Sequence, residues 1–447
     1  MTMAAMEREA RDAVEAGEAG EAVGAAGARG ATGKMGTMQT TESKPLRLGI
    51  VGGNRGGRFK RTLSSLASLV RLAAICDVRE DVVREWQAEY PGLAGYTDYD
   101  RMLEDPGIDA VLLASPMLLH ARQSIQALNA GKHVLSEVVA AHTLEETWEL
   151  VETVERTGLT YMLAENYVFE RAAMTVQRMA ESGVFGEITY LEGGYIHDLR
   201  HAVHAGDGTL TWRGELHRDY DGINYPTHSI GPLAKWLGLG REGGDRLAGL
   251  SAMTSNSRAL RRYFQDRFGS GHPAAQEGFW KQGDSALAHL TTESGVLIAL
   301  RVDWTSTRPH HMHQYALQGT EGAYLSRRHD DEEDLVWIEG RSPKRRPPWG
   351  GEPEGVWEPL GRYRAEFDPP AWARLDRESG GDGDSRGGSN RLVLEEFALA
   401  VREGRRPAID VYDAAEWSAI FPLSVESRAR GGAPVSFPDF RGRERRR

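Results

Sequence analysis

From Leu46 onward, short aliphatic runs alternate with helical patterns, and the first run ends in the glycine-rich string GIVGGNRGG. No other feature constrains the fold of this chain as strongly. LRLGIV, LAAICDV, AVLLAS and HVLSE read as strands, with helix patterns opening near Arg58, Arg79 and His120 between them. Strands separated by helices pair in parallel, because each crossover carries the chain back to the edge from which it started. Thr143 and Glu146 form a capping box that predicts a helix through about Thr157, and YMLAEN reads as a further strand.

A glycine cluster at the first strand-to-helix turn is where a backbone can approach a pyrophosphate closely. Counted from Gly52 the spacing is Gly-x-Asn54-x-x-Gly57, with Asn54 where the dinucleotide fingerprint has its second glycine. Asn tolerates positive φ, so the turn survives the exchange. Gly53, Arg55 and Gly56 complete the loop. Asp77 follows Gly57 by twenty residues at the end of the second strand, where a carboxylate accepts hydrogen bonds from ribose hydroxyls and repels a 2′-phosphate. This predicts NAD rather than NADP on a doubly wound Rossmann domain over residues 45–166. The competing reading is a tight turn with Asp77 capping the next helix.

Beyond residue 167 the pattern changes to EITYLEGGYIHDL, LAGLSAMTS, SALAHLTTESGVLIALRVDWTS, QYALQGTEGAYLS and LVWIEG. Short polar turns between such runs predict a largely antiparallel open sheet, so residues 167–440 read as an α+β domain. Residues 340–390, dense in Gly, Pro, Arg and Asp, read as an irregular excursion. A last helical region is expected from Arg391 to Arg430.

Composition enters mainly as exclusion. No run approaches the ~18 apolar residues that a membrane span requires. The net charge of −11 disfavours nucleic acid, and the basic clusters Lys344–Arg346 and 441–447 read as solvated charge. The single cysteine, Cys76, excludes an internal disulfide and every Cys-based zinc pattern, and suits a cytoplasmic setting. Residues 1–44, rich in Ala, Gly and Glu, carry no apolar core of a signal peptide and are expected to be a disordered extension.

ASPMLLH (114–120) and HVLSEVVAA (133–141) resemble the Gfo/Idh/MocA oxidoreductases, whose matching segments run T-P-x-x-x-H and E-K-P. The resemblance implies that Ser115, Pro116, His120 and Glu137 lie along the dinucleotide. Val138 stands where the family's dehydrogenases carry a lysine, and a valine can neither donate nor accept a proton. The strings TLEETWELVETVERTG, MLAENYVF, GVFGEITYLEGGYIHDLR, NYPTHSIGP and DVYDAAEWSAIFPLS are similar to the NAD-dependent α-N-acetylgalactosaminidases of glycoside hydrolase family 109. That likeness implies a sugar held over the nicotinamide by Glu165, Asn166, Tyr167, His197, Asp198, Arg200 and Asn224. It also implies proton handling by His228, Tyr225 and Tyr195, and a chemistry of oxidation at C3, elimination of the aglycone, hydration and return of the hydride.

Read without the resemblance, Tyr225 and His228 fit a packed helix start better than a catalytic pair. Two further readings stay open: a sugar or inositol dehydrogenase with net hydride transfer, and a non-catalytic ligand sensor on the same fold. His310, His311 and His313 put two imidazoles on one strand face, but with no carboxylate companion in view no metal is expected. The Trp residues of TWRGEL and VDWTS read as core or pocket wall. An antiparallel sheet with one open face predicts a homodimer or higher oligomer.

Overall fold

The computed structural model describes residues 44–241, 243–309, 311–379 and 385–442. The expected N-terminal extension, apart from Lys44, and residues 443–447 of the basic tail lie outside them. Six strands, β1 (Leu46–Val51), β2 (Val70–Cys76), β3 (Ala94–Tyr96), β4 (Ala110–Leu113), β5 (His133–Ser136) and β6 (Tyr161–Leu163), form a parallel sheet. Their order is β3-β2-β1-β4-β5-β6. Strand order reverses between β1 and β4, which opens a crevice at the carboxyl ends of the strands, the usual dinucleotide position in such a sheet. β4 and β6 are buried at every position, as expected for strands covered on both faces.

Helix Leu144–Thr157 begins as its capping box predicts, with Thr143 Oγ1 accepting from the Glu146 N–H at 3.1 Å. The reciprocal bond is displaced by one residue, so that the Glu146 carboxylate accepts from the His142 N–H at 3.2 Å.

The second sheet has nine strands. They are β7 (Ile188–Ile196), β8 (Leu247–Thr254), β9 (Ser285–Thr292), β10 (Leu297–Asp303), β11 (His313–Gly319), β12 (Gly322–Leu325), β13 (Leu335–Ile338), β16 (Glu358–Pro359) and β17 (Val435–Ser436), while β14 (Lys344–Arg345) and β15 (Glu354–Gly355) form a separate ribbon. All pairings in the large sheet are antiparallel except that of β7 with β10. Along β9, Ala286, Ala288 and Leu290 point inward while Leu287, His289 and Thr291 point outward, the period of a sheet covered on one face. Helices Thr227–Leu237 and Val411–Ala429 pack on the covered face. The first of them approaches β7 at Gly193, where an added Cβ would stand 2.1 Å from the Ser229 carbonyl oxygen.

Of the excursion expected to be irregular, residues 341–357 are largely exposed loop carrying the two-residue strands β14 and β15, whereas the part from β16 onward is packed. β16 extends the large sheet, helix Pro370–Ser379 follows, and Tyr363, Phe367, Trp372 and Leu375 are buried. Arg171 clamps it through two bonds to Asp368 at 2.7 and 2.6 Å. The density of Gly and Pro conceals a sparse set of anchors that reach across to other elements, a spacing with no local period. The last helical region is two helices, Ser385–Glu403 and Val411–Ala429, the second capped by Asp410, which accepts from the Tyr412 and Asp413 N–H groups. This pair returns to the first domain: the Leu163 N–H donates to Ile409 O at 3.2 Å and the Ala140 N–H to Ser418 Oγ at 3.0 Å. Arg441, expected to be solvated, pairs with Asp413 at 2.9 Å.

Because backbone rather than a flexible side chain faces Gly193, Gly193→Ala must push helix Thr227–Leu237 off the sheet. Overpacking of this kind costs about 1–3 kcal/mol. Thermal unfolding should therefore show a lower midpoint, and an unchanged midpoint would contradict the close packing described.

Candidate active site

The turn after β1 is built by Gly52, whose φ is +92° and whose Cβ, were there one, would lie 2.6 Å from Ala114 O. Asn54 does not supply the positive φ. It sits, exposed, inside the short helical turn Gly53–Gly56. The close helix-to-strand packing belongs to Gly56, where a Cβ would meet Ile50 Cγ2 at 2.4 Å, whereas Gly57 faces open space. Asp77, at the end of β2, accepts from the Gly53 N–H at 2.8 Å and the Arg79 N–H at 2.9 Å. Its carboxylate braces the turn from the side where a ribose would lie, and each oxygen keeps acceptor capacity. Arg79 is drawn away to Asp81. The open side of Gly57, the exposed Asn54 and Asp77 at the crevice edge fit an NAD, with Asp77 on its adenosine half.

Across the crevice, Arg55 donates to both oxygens of Glu137, Nε to Oε1 and Nη2 to Oε2, each at 3.0 Å. Burial works against the Glu137 charge, but the Arg55 guanidinium outweighs it and holds the carboxyl below its ordinary range. Val138 and Val139 are buried and joined by a cis peptide bond. His120 does not face the crevice. It is buried, with Nδ1 2.9 Å from Val139 O and Nε2 2.9 Å from Ser115 O, and burial lowers its pKa. It thus ties the two crevice segments together. Ser115 donates to Gln123, and Pro116 leads into the turn Met117–Leu119.

The other wall is aromatic. His228, in the first turn of helix Thr227–Leu237, places Nδ1 2.7 Å from Glu165 Oε1, and that oxygen also accepts from the Tyr167 N–H at 3.1 Å. Tyr167 stacks on the His228 ring at 4.2 Å and 18°, while the rings of Tyr195 and Tyr225 stand 4.9 and 5.1 Å from it. A neutral His228 that donates from Nδ1 to a buried carboxylate keeps the Nε2 lone pair for a substrate proton. Burial pushes the Tyr195 phenol up to about 12 and raises those of Tyr225 and Tyr167, so all three are neutral donors at physiological pH.

Two family models divide the chain: "Oxidoreductase family, NAD-binding Rossmann fold" over residues 46–165, and "Glycosyl hydrolase 109, C-terminal domain" over residues 169–445. The chain belongs to glycosyl hydrolase family 109. A family 109 protein of Saccharopolyspora erythraea is 34% identical over 89% of this chain and 84% of its own length. An alpha-N-acetylgalactosaminidase of Tannerella forsythia is 30% identical, with 88% and 86% covered. Among solved structures, a levoglucosan dehydrogenase complexed with NADH superposes with a TM-score of 0.67 at 20% identity, over 88% of this chain and 100% of its own; at that identity the likeness speaks for the fold alone.

In this family 109 chain the residues named from sequence fall into three groups. Glu165, Tyr167, Tyr195, Tyr225 and His228 converge, and His197 joins their rim with its ring 5.9 Å from that of Tyr195. Asp198 and Arg200 pair with each other through bonds of 2.8 and 2.7 Å, and Asn166 begins the turn that carries Tyr167. Asn224 is fully buried and donates to Gln282 Oε1 at 3.2 Å, which is a supporting position.

Two further residues, Arg213 and His217, escaped the sequence. Arg213, on helix Trp212–Asp219, interacts electrostatically with Tyr225 and Tyr195, forms no carboxylate pair among the described residues, and burial lowers its pKa. Trp304, expected as core or pocket wall, sets its ring edge-on to Tyr225 and Tyr195, and His217 packs against it with its pKa pushed down to about 3 by burial. TWRGELH offered a helix-capping Thr and an apolar period, but nothing that told which face met the pocket. His313 does have a carboxylate companion, Glu170 at 3.6 Å, whose own carboxyl burial pushes up to about 7. His310 lies outside the described residues, among which no metal-holding group of three ligands occurs.

The position of Asp77 predicts tighter binding of NAD(H) than of NADP(H), with Asp77→Ala narrowing the gap. Fluorescence titration of the four cofactors measures this, and equal affinities in the unmodified protein would refute the role given to that carboxylate.

Proposed function

We propose that this family 109 protein is an NAD-dependent glycoside hydrolase acting through transient oxidation at sugar C3, elimination of the aglycone and hydration, with α-N-acetylgalactosaminides as its first substrate class. The observation that carries the reading is the His228–Glu165 pair, held at 2.7 Å in an aromatic box. A base of this kind at the sugar ring, with Val138 buried where a dehydrogenase would hold its lysine, suits removal of a C2 proton better than net dehydrogenation. Bound NAD would supply reversible acceptance of the C3 hydride. His228 Nε2 takes the C2 proton, and Glu165 holds the ring and offsets its charge once it is protonated. Tyr195 and Tyr225 donate to sugar oxygens as neutral phenols. Arg213, with no carboxylate partner among the described residues, supplies positive charge where C2 becomes enolate-like and binds the acceptor oxygens of the substituent there. The name of the Tannerella forsythia relative supports N-acetylgalactosamine as the sugar.

The partner is thus a small glycoside, and the net charge of −11 argues against nucleic acid. No helix among the described residues is long and apolar enough to cross a membrane. A single buried thiol, Cys76, supports a cytoplasmic location. Met253, Leu287 and Leu297, exposed on adjacent strands of the large sheet, support pairing of two copies through that face.

Turnover of an aryl α-N-acetylgalactosaminide in deuterated water should release sugar carrying deuterium at C2 without accumulation of NADH. His228→Ala should lower kcat about 10²-fold or more while NAD binding persists. Stoichiometric NADH without glycoside cleavage would establish a dehydrogenase instead, and cleavage without C2 exchange would refute the elimination.

A further inference from the structure

The Arg55–Glu137 pair crosses the crevice. Arg55 belongs to the glycine turn after β1, whereas Glu137 follows β5, two strands away in the sheet. The turn is the pyrophosphate position of such a fold, Asp77 beyond β2 marks the adenosine half, and the strand ends on the β4–β5 side take the nicotinamide half. Glu137 is 9% exposed, and both its oxygens are held by one guanidinium that itself remains 42% exposed toward the crevice. The pair is therefore an electrically neutral floor: an anion buried on the nicotinamide side, cancelled by a cation reaching from the pyrophosphate side.

This neutrality matters because the oxidised nicotinamide ring carries a positive charge that disappears when it takes up hydride. A bare carboxylate beneath the ring would stabilise the oxidised form over the reduced one, and a bare guanidinium would do the reverse. We propose that Arg55 is a positioning residue that sets the redox balance of the bound cofactor by neutralising and orienting Glu137, so that hydride leaves the sugar and returns to it with nearly equal ease. A cycle that regenerates its cofactor in place needs that balance, whereas a dehydrogenase that releases reduced cofactor does not. The proposal rests on the functional reading above, and its test draws only on the dinucleotide half of that reading.

The test is a set of binding titrations with NAD+, NADH and ADP-ribose, and it requires no turnover. Arg55→Met leaves Glu137 without its partner, so the ratio of Kd for NAD+ to Kd for NADH should fall about tenfold, equivalent to a drop of about 30 mV in the potential of the bound two-electron couple. ADP-ribose, which lacks the nicotinamide, should bind as before. Glu137→Gln should move the ratio by a similar factor in the opposite direction. The double variant should restore it, and Arg55→Lys should hold it near the original value. The fall in Arg55→Met should grow from pH 6 to pH 8.5, since burial alone raises the pKa of a carboxyl and protonation removes the effect. Equal weakening of all three ligands would overturn the proposal by assigning Arg55 to the pyrophosphate. An unmoved ratio in both single variants would overturn it as well. Failure of the unmodified protein to bind either dinucleotide would refute the dinucleotide reading itself, a result separate from these two.

Discussion

The hydrogen bond between His228 and Glu165 joins the two domains at the candidate site itself. Glu165 lies just past β6, at the end of the parallel sheet, and His228 opens a helix that packs on the large mixed sheet. The contact requires that helix to lie close to β7, which Gly193 permits, and to pass over Glu165 at Gly231, where a Cβ would come within 3.0 Å of the Glu165 Cγ. Two glycines therefore decide where an imidazole and a carboxylate meet. A buried carboxylate left without that imidazole would be costly, so the pairing stabilises the interface while it orients the base.

Around this joint the charges are arranged in compensated pairs. Glu137 is answered by Arg55, Asp198 by Arg200 and Asp413 by Lys235 and Arg441. Arg213 has no carboxylate pair among the described residues, and a guanidinium beside the neutral phenols of Tyr195 and Tyr225 makes the sugar side electropositive. Neutral floor and positive wall suit a reaction in which charge appears on the sugar and disappears from the nicotinamide.

Much of this was legible beforehand where the signal was local. The parallel sheet followed from strand and helix alternation, the helix at Leu144 from its capping box, and the alternation along β9 from its period of two. The expectations that needed revision all concern which atom faces which. Asn54 is credited by its place in the motif with the positive φ that Gly52 adopts, because a motif spacing does not say which residue turns the chain. His120 was placed beside the cofactor, yet it ties Ser115 to Val139 from behind. The packed second half of the 340–390 segment escapes a local reading because its anchors, Asp368 to Arg171 and Trp372 to Phe169 O, lie about two hundred residues from their partners.

By itself, the sequence determined the elements, the dinucleotide turn, the family and the group of residues from which a site would be drawn. Each of these depends on interactions between neighbours along the chain, or on strings long enough to be distinctive. The tertiary structure alone decided which members of that group converge. It sent Asn224 into support beneath the pocket, paired Asp198 with Arg200, brought Arg213, Trp304 and His217 to the wall, and spanned the crevice with Arg55 and Glu137. Those outcomes turn on distances between residues far apart in the chain, which are fixed only once two sheets and the helices between them have packed together.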